Sequence, residues 1–116
     1  MSTRDWKLRL EDILEAIERI EQYTEGFHYE QWQRDQKTID AVIRNIEIIG
    51  EASTHVPAEV QTLFPNIPWR KMRGIRNILV HEYFGVDVEV LWRTVQEDLP
   101  GLKVLLSDAF KGKDKG

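Results

Sequence analysis

The chain has 116 residues and a formal net charge of −4, and this length predicts a single domain. It contains no cysteine, which excludes disulfide bonds and thiolate metal sites. No apolar run approaches the roughly 20 residues that span a bilayer, and the charged residues 1–11 lack a signal-peptide core. We therefore expect a soluble, cytoplasmic protein with one domain over residues 1–110 and a polar tail over 111–116.

Two long N-terminal segments carry apolar residues at helical spacing. Segment 4–24 precedes a stop at Gly26, and its apolar residues recur every three or four positions: Trp6, Leu10, Ile13, Leu14, Ile17 and Ile20. Segment 30–54 repeats this pattern with Ile39, Val42, Ile43, Ile46 and Ile49. Each segment therefore predicts one amphipathic helix.

Prolines divide the second half of the chain, where the pattern predicts four shorter helices: 58–64, 68–84, 88–98 and about 100–110. Pro68 suits the first turn of the second of these, and Gly85 ends it. Asp87 is placed to cap the third, and Pro100 starts the last. No strand alternation occurs, so the predicted fold is all-α, an up-and-down bundle of four to five helices.

Basic residues concentrate in one part of this acidic chain. Residues 70–83 hold four basic residues against Glu82, a balance of +3, so the remainder carries −7. The four are Arg70, Lys71, Arg73 and Arg76. Such an island can bind one anionic ligand without general affinity for nucleic acid.

An ideal helix over 68–84 separates this island into two faces, at about 100° per residue. The apolar sector contains Met72, Ile75, Leu79 and Tyr83. The opposite side carries Arg70, Arg73, Asn77 and His81. His81 is therefore predicted to lie off the core, as a site residue or a solvated one, while Tyr83 fits a core or boundary position.

Arg76 and His81 are five residues apart, so about 140° separates them on a regular helix. They would not converge on one phosphate within a single regular helix. A bend at Gly74, a looser helix end or a second copy of the helix would bring them together. The spacing thus favours a homodimeric site.

The order Arg76, four residues, His81, one residue, Tyr83 resembles the R-x4-H-x-Y motif of HEPN-domain toxins, and most closely that of the HepT family. The resemblance extends to IDAVIRNIEIIGEAS at 39–53 and to IPWRKMRGIRNILVHEYFGVD at 67–87. It implies an HEPN-like bundle that pairs as a symmetric homodimer. It also implies that the protein is the toxin of a type VII-like toxin–antitoxin system. The toxin would act as a metal-independent endoribonuclease, with a composite active site in the cleft of the dimer.

Within that resemblance Arg76 and His81 are the expected catalytic residues, and Asn77 is expected to support them. Tyr83 matches the tyrosine to which a MntA-type nucleotidyltransferase antitoxin transfers AMP. The remaining basic residues are not part of the motif, and we assign Arg70, Lys71 and Arg73 to RNA binding from their charge alone.

Histidine suits proton transfer near neutral pH, and the arginine fork matches phosphate oxygens. The three histidines, His28, His55 and His81, show no metal-ligand spacing, so we expect neither metal nor cofactor. Two other interpretations stay open. In the first, the protein is a non-catalytic nucleotide- or RNA-binding partner subunit of a nucleotidyltransferase. In the second, it is a plain structural dimer.

Overall fold

A computed structural model describes residues 3–75 and 87–113 of the chain. In chain order the first part contains α1 (Thr3–Thr24), α2 (Tyr29–Arg34), α3 (Gln36–Thr54), α4 (Ala58–Leu63) and α5 (Trp69–Arg73). The second part contains α6 (Val88–Arg93), a π-helical turn (Thr94–Asp98) and α7 (Leu99–Lys113). No strand occurs in either part, so the predicted all-α fold is confirmed. None of the helices described is long and apolar enough to cross a membrane.

The core is built on α1 and α3, which pack along each other. Their apolar positions are fully or almost fully buried in one cluster: Leu10, Ile13, Ile17, Ile20, Ile39, Val42, Ile46 and Ile49. Burying each large aliphatic side chain stabilises the fold by roughly 1.5–3 kcal/mol. The helical spacing read from the sequence is therefore the spacing that forms the core.

α7 packs on the outer side of α1. Lys103 Nζ donates a 2.8 Å hydrogen bond to Glu21 Oε1, and this bond raises the pKa of Lys103 above its usual value. Lys7 Nζ lies 5.8 Å from the centre of the Phe110 ring at the other end of the same contact. α7 continues to Lys113 and so extends beyond residue 110, where the helix was predicted to end.

The predicted stop at Gly26 is confirmed, because α1 ends at Thr24 and Gly26 has a φ of +78°. Glycine adopts that left-handed conformation without the steric cost that a Cβ atom imposes on most other residues. The single helix predicted over 30–54 is wrong. Asp35, at φ −104° and ψ 84°, separates α2 from α3, and its Oδ1 accepts a 3.0 Å hydrogen bond from the Thr38 amide. The short acidic side chain replaces a helical bond with a cap.

The helix boundary predicted between residues 98 and 100 is present as a change of helix type, because α6, the π-helical turn and α7 follow one another without an intervening loop. The amide of Leu99 bonds the carbonyl oxygen of Thr94, five residues earlier. Proline cannot donate such a bond and its ring crowds the preceding turn. The wider turn ends at Asp98, and Pro100 lies in the first turn of α7, which begins at Leu99.

Candidate functional site

The four motif residues predicted from the sequence, Arg76, Asn77, His81 and Tyr83, lie outside the described residues. Leu79, predicted to face the core, lies outside them as well. The structure therefore describes the two flanks of the motif. The N-terminal flank ends at Ile75, and the C-terminal flank begins at Asp87.

The N-terminal flank is seated on the core by α5. Trp69 is 6% exposed, and its indole Nε1 donates a 3.0 Å hydrogen bond to the carbonyl oxygen of Phe64. Met72 and Ile75 are also buried, which confirms the predicted apolar face for its two described members. Burial of an indole, a thioether and an aliphatic side chain holds α5 and Ile75 on the core.

The helix predicted over 68–84 does not run unbroken through its described part. α5 ends at Arg73, the Gly74 amide bonds the Arg70 carbonyl, and the Ile75 amide bonds the Met72 carbonyl at 3.2 Å. The bend considered at Gly74 is thus present as a turn.

The three basic residues assigned to RNA binding are all exposed on α5. Arg70 and Lys71 line a groove, whereas Arg73 Nη1 donates a 3.0 Å hydrogen bond to Gln61 Oε1 of α4. The structure therefore divides the three cations: two face the groove and one is bound to a neighbouring helix.

The groove lies between α5 and the start of α7 and has a volume of about 710 Å³. Its walls are apolar on both sides: Met72, Ile75, Leu99, Leu102 and Leu105. Glu97 and Asp98 of the π-helical turn line it together with Arg70 and Lys71. An anionic ligand is attracted by the α5 side and repelled by the π-helical side.

The C-terminal flank is fixed by a cap and by a buried indole. Asp87 Oδ1 accepts hydrogen bonds of 3.1 Å from the amides of Glu89 and Val90, which confirms the predicted cap of α6. Trp32 of α2 donates a 2.9 Å hydrogen bond from Nε1 to the Val88 carbonyl oxygen. This bond was not predicted from the sequence, where its one signal is a tryptophan inside the polar run YEQWQRDQK.

A second, polar groove of about 530 Å³ lies between α1 and α3. Its charged lining is Arg9, Asp12, Arg44, Glu47, Glu51 and His55. His55 Nε2 lies 3.4 Å from Glu51 Oε1, and both side chains are exposed. Across residues 3–75 and 87–113, no group of three or more acidic, histidine or cysteine side chains is placed to hold a metal ion.

The sequence model of a family described as ribonuclease HepT-like matches residues 13–109. The chain belongs to this family. The matched residues include both described flanks and the entire R-x4-H-x-Y motif between them. The predicted HEPN-like, HepT-type fold is thereby confirmed.

Three curated relatives of this HepT-like chain are matched over most of their length. A probable ribonuclease HepT of Thermococcus cleftensis is 55% identical over 100 residues, which cover 86% of this chain and 91% of that protein. A putative RNase of Methanocaldococcus jannaschii is 45% identical over 103 residues, covering 89% and 94%. A putative RNase of Caldanaerobacter subterraneus is 35% identical over 94 residues, covering 81% and 84%. No solved structure matches the chain.

Proposed function

We propose that this HepT-like protein is a metal-independent endoribonuclease and the toxin of a type VII-like toxin–antitoxin system, acting in the cytoplasm. The observation that carries this proposal is the family match over residues 13–109, with the complete motif from Arg76 to Tyr83 inside it. Relatives named as ribonucleases, similar over most of their length, support RNA as the substrate.

In the proposed reaction the 2′-hydroxyl of RNA attacks the adjacent phosphorus as the P–O5′ bond breaks. His81 takes or gives the protons, because an imidazole changes charge near neutral pH. Arg76 binds the phosphate oxygens and stabilises their developing charge, and Asn77 supports it. The proton leaves the 2′-oxygen and one is given to the 5′-oxygen, so the products are a 2′,3′-cyclic phosphate and a 5′-hydroxyl.

The composite site is proposed to need two copies of the chain. The five-residue spacing of Arg76 and His81 motivates this, because it separates them on one regular helix. The apolar walls of the groove beside α5 add support, since covering them with a second copy removes apolar surface from water. This groove reaches Gly74 and Ile75, which directly precede Arg76 in the chain, and it is where the second copy is proposed to lie.

Arg70 and Lys71 are proposed to draw the RNA backbone toward this cleft, because both are exposed and line the groove. Contacts of this kind supply affinity without reading sequence and weaken as salt concentration rises. The facing Glu97 and Asp98 restrict the favourable approach to the α5 side.

Control is proposed to act through Tyr83. A MntA-type nucleotidyltransferase antitoxin transfers AMP from ATP, as the phenolic oxygen attacks the α-phosphorus and pyrophosphate leaves. The phenolic proton passes to a base on the transferase. The added nucleotide places bulk and negative charge two residues from His81, which blocks the cleft and repels RNA.

The proposal is tested by incubating purified protein with RNA in EDTA, using wild type and His81→Ala. We expect wild type to leave 2′,3′-cyclic phosphate ends and to spare RNA that carries 2′-deoxyribose at the cleaved position. Salt-dependent RNA binding without cleavage would instead establish the alternative, a non-catalytic partner subunit. Absence of both binding and cleavage would leave the structural dimer.

A further inference from the structure

The side chain that fixes the C-terminal flank of the motif belongs to a helix far away in sequence. Trp32 lies on α2, is 0% exposed, and donates its indole proton to the Val88 carbonyl across a separation of 56 residues. A buried indole N–H requires such an acceptor, because leaving it unpaired costs free energy. The bond therefore selects one placement of Val88 relative to α2.

Aromatic packing reinforces that placement. The rings of Trp32 and Trp92 have centres 5.4 Å apart at an interplanar angle of 39°, and Tyr29 meets Trp92 edge-on at 6.3 Å. Tilted and edge-on pairs of this kind are favourable beyond their buried area. Three aromatic side chains from α2 and α6 thus hold the first turns of α6 against α2.

The opposite flank uses the same chemistry. Trp69 is buried and donates its indole proton to the Phe64 carbonyl, and α5 delivers the chain to residue 76 from there. The motif is therefore bracketed by two buried indoles that each bind a backbone carbonyl oxygen. Val88 follows Tyr83 by five residues and His81 by seven, so the Trp32 bond lies close to the functional side chains along the chain.

We propose that Trp32 is a positioning residue for the proposed ribonuclease reaction, acting by fixing the C-terminal end of the motif segment through Val88. This inference rests on the proposed function. Catalytic groups displaced by about 1 Å can lose about 100-fold in rate, so an anchor seven residues after His81 in the chain affects turnover without touching RNA. If Trp32 only filled space in the core, RNA cleavage would depend on the volume of its ring and not on its N–H donor.

Replacing the indole by benzothiophene separates these two roles. Full-length protein with β-(3-benzothienyl)alanine at position 32 keeps a bicyclic ring of nearly the same size and loses the N–H donor. The matched control carries the same replacement at Trp6, a buried α1 tryptophan whose ring packs 6.0 Å from Phe64. Both proteins, wild type and His81→Ala are compared by RNA cleavage kinetics and by backbone hydrogen exchange over residues 76–88.

We expect the replacement at position 32 to lower kcat by about 10- to 100-fold with KM within about twofold. Exchange in peptides covering 76–88 should rise by about fivefold, the change expected when one hydrogen bond is removed. The replacement at Trp6 should change neither kcat nor the exchange rate over residues 76–88 by more than about twofold.

Unchanged exchange at 76–88 would overturn the anchor. Faster exchange with unchanged kcat, or an equal reduction of kcat in the Trp6 control, would overturn the positioning role. If wild type cleaves RNA no faster than His81→Ala, the proposed function fails instead, and the exchange comparison still decides whether Trp32 anchors the segment.

Discussion

Arg73 Nη1 and Gln61 Oε1 form a 3.0 Å hydrogen bond that ties α5 to α4. Gln61 in turn donates from Nε2 to the Val56 carbonyl oxygen at 3.0 Å, so its amide is engaged on both sides. Arg73 is thereby oriented toward α4, while Arg70 and Lys71 line the groove beside the motif. Three cations that lie close together in the sequence thus have different surroundings in the structure.

This inequality predicts unequal contributions to RNA affinity. We expect Arg70→Ala combined with Lys71→Ala to weaken RNA binding and to reduce the slope of log affinity against log salt by about 0.7 for each phosphate that the protein no longer neutralises. Arg73→Ala should change the slope less, because its guanidinium is partly engaged by Gln61. Fluorescence anisotropy with single-stranded RNA at several salt concentrations measures both.

The control for this charge change is Arg34→Ala combined with Lys37→Ala, which removes one arginine and one lysine from exposed positions on α2 and α3. It should leave the salt slope within error of wild type. Equal effects of the two double variants would mean that net charge, and not the α5 surface, determines RNA affinity.

Tyr83 is predicted to be the regulatory side chain. Tyr83→Phe removes only the phenolic oxygen that would accept AMP, so we expect RNA cleavage close to wild type and escape from the antitoxin. Intact-protein mass spectrometry after incubation with ATP and the MntA-type nucleotidyltransferase should show added AMP on wild type and none on Tyr83→Phe.

The matched control is Tyr23→Phe, at an exposed tyrosine on α1. This variant should still be modified and neutralised. Full neutralisation of Tyr83→Phe by the antitoxin would contradict control by modification and indicate control by binding.

Self-association is predicted to depend on the groove beside α5. Leu105 lines this groove and is half-buried, so Leu105→Glu places a charge on a surface that a second copy is proposed to cover. A buried, unpaired charge is strongly unfavourable, so we expect the variant to shift toward monomer in light-scattering chromatography and to lose RNA cleavage. Circular dichroism verifies that its helices remain.

Val104→Glu is the neighbouring control, because Val104 is 59% exposed and does not line the groove. It should associate like wild type. A Leu105→Glu protein that remains dimeric would exclude this groove as the dimer surface.

Helical periodicity predicted the core well because α1 and α3 bury continuous apolar stripes. The misplaced boundaries arose where one side chain or one distant contact decides the backbone. Asp35 ends α2 by capping α3, although its neighbours on both sides are compatible with one helix. Pro100 was predicted to start the last helix, and it lies in the first turn of α7, which follows the π-helical turn without a loop.

The residue types of the candidate site were predictable from the sequence. The contacts that hold the flanks of the motif in place were less predictable. Met72 and Ile75 occupy the buried face that the spacing predicted, and Arg70 lies on the exposed one. The Trp32–Val88 hydrogen bond joins residues 56 positions apart, and no local pattern encodes such a contact. The sequence pattern likewise left open the bend at Gly74, which is the C-cap of α5.

RNA cleavage by His81→Ala, compared with His55→Ala, tests the central claim most directly. His55 is an exposed histidine paired with Glu51 on the α1–α3 surface, so its replacement removes an imidazole without affecting the proposed cleft. With purified protein in EDTA, we predict that His81→Ala lowers kcat by about 10²–10⁴-fold while His55→Ala stays near wild type. Cleavage by His81→Ala at the wild-type rate, or equal reductions in the two variants, would contradict the account.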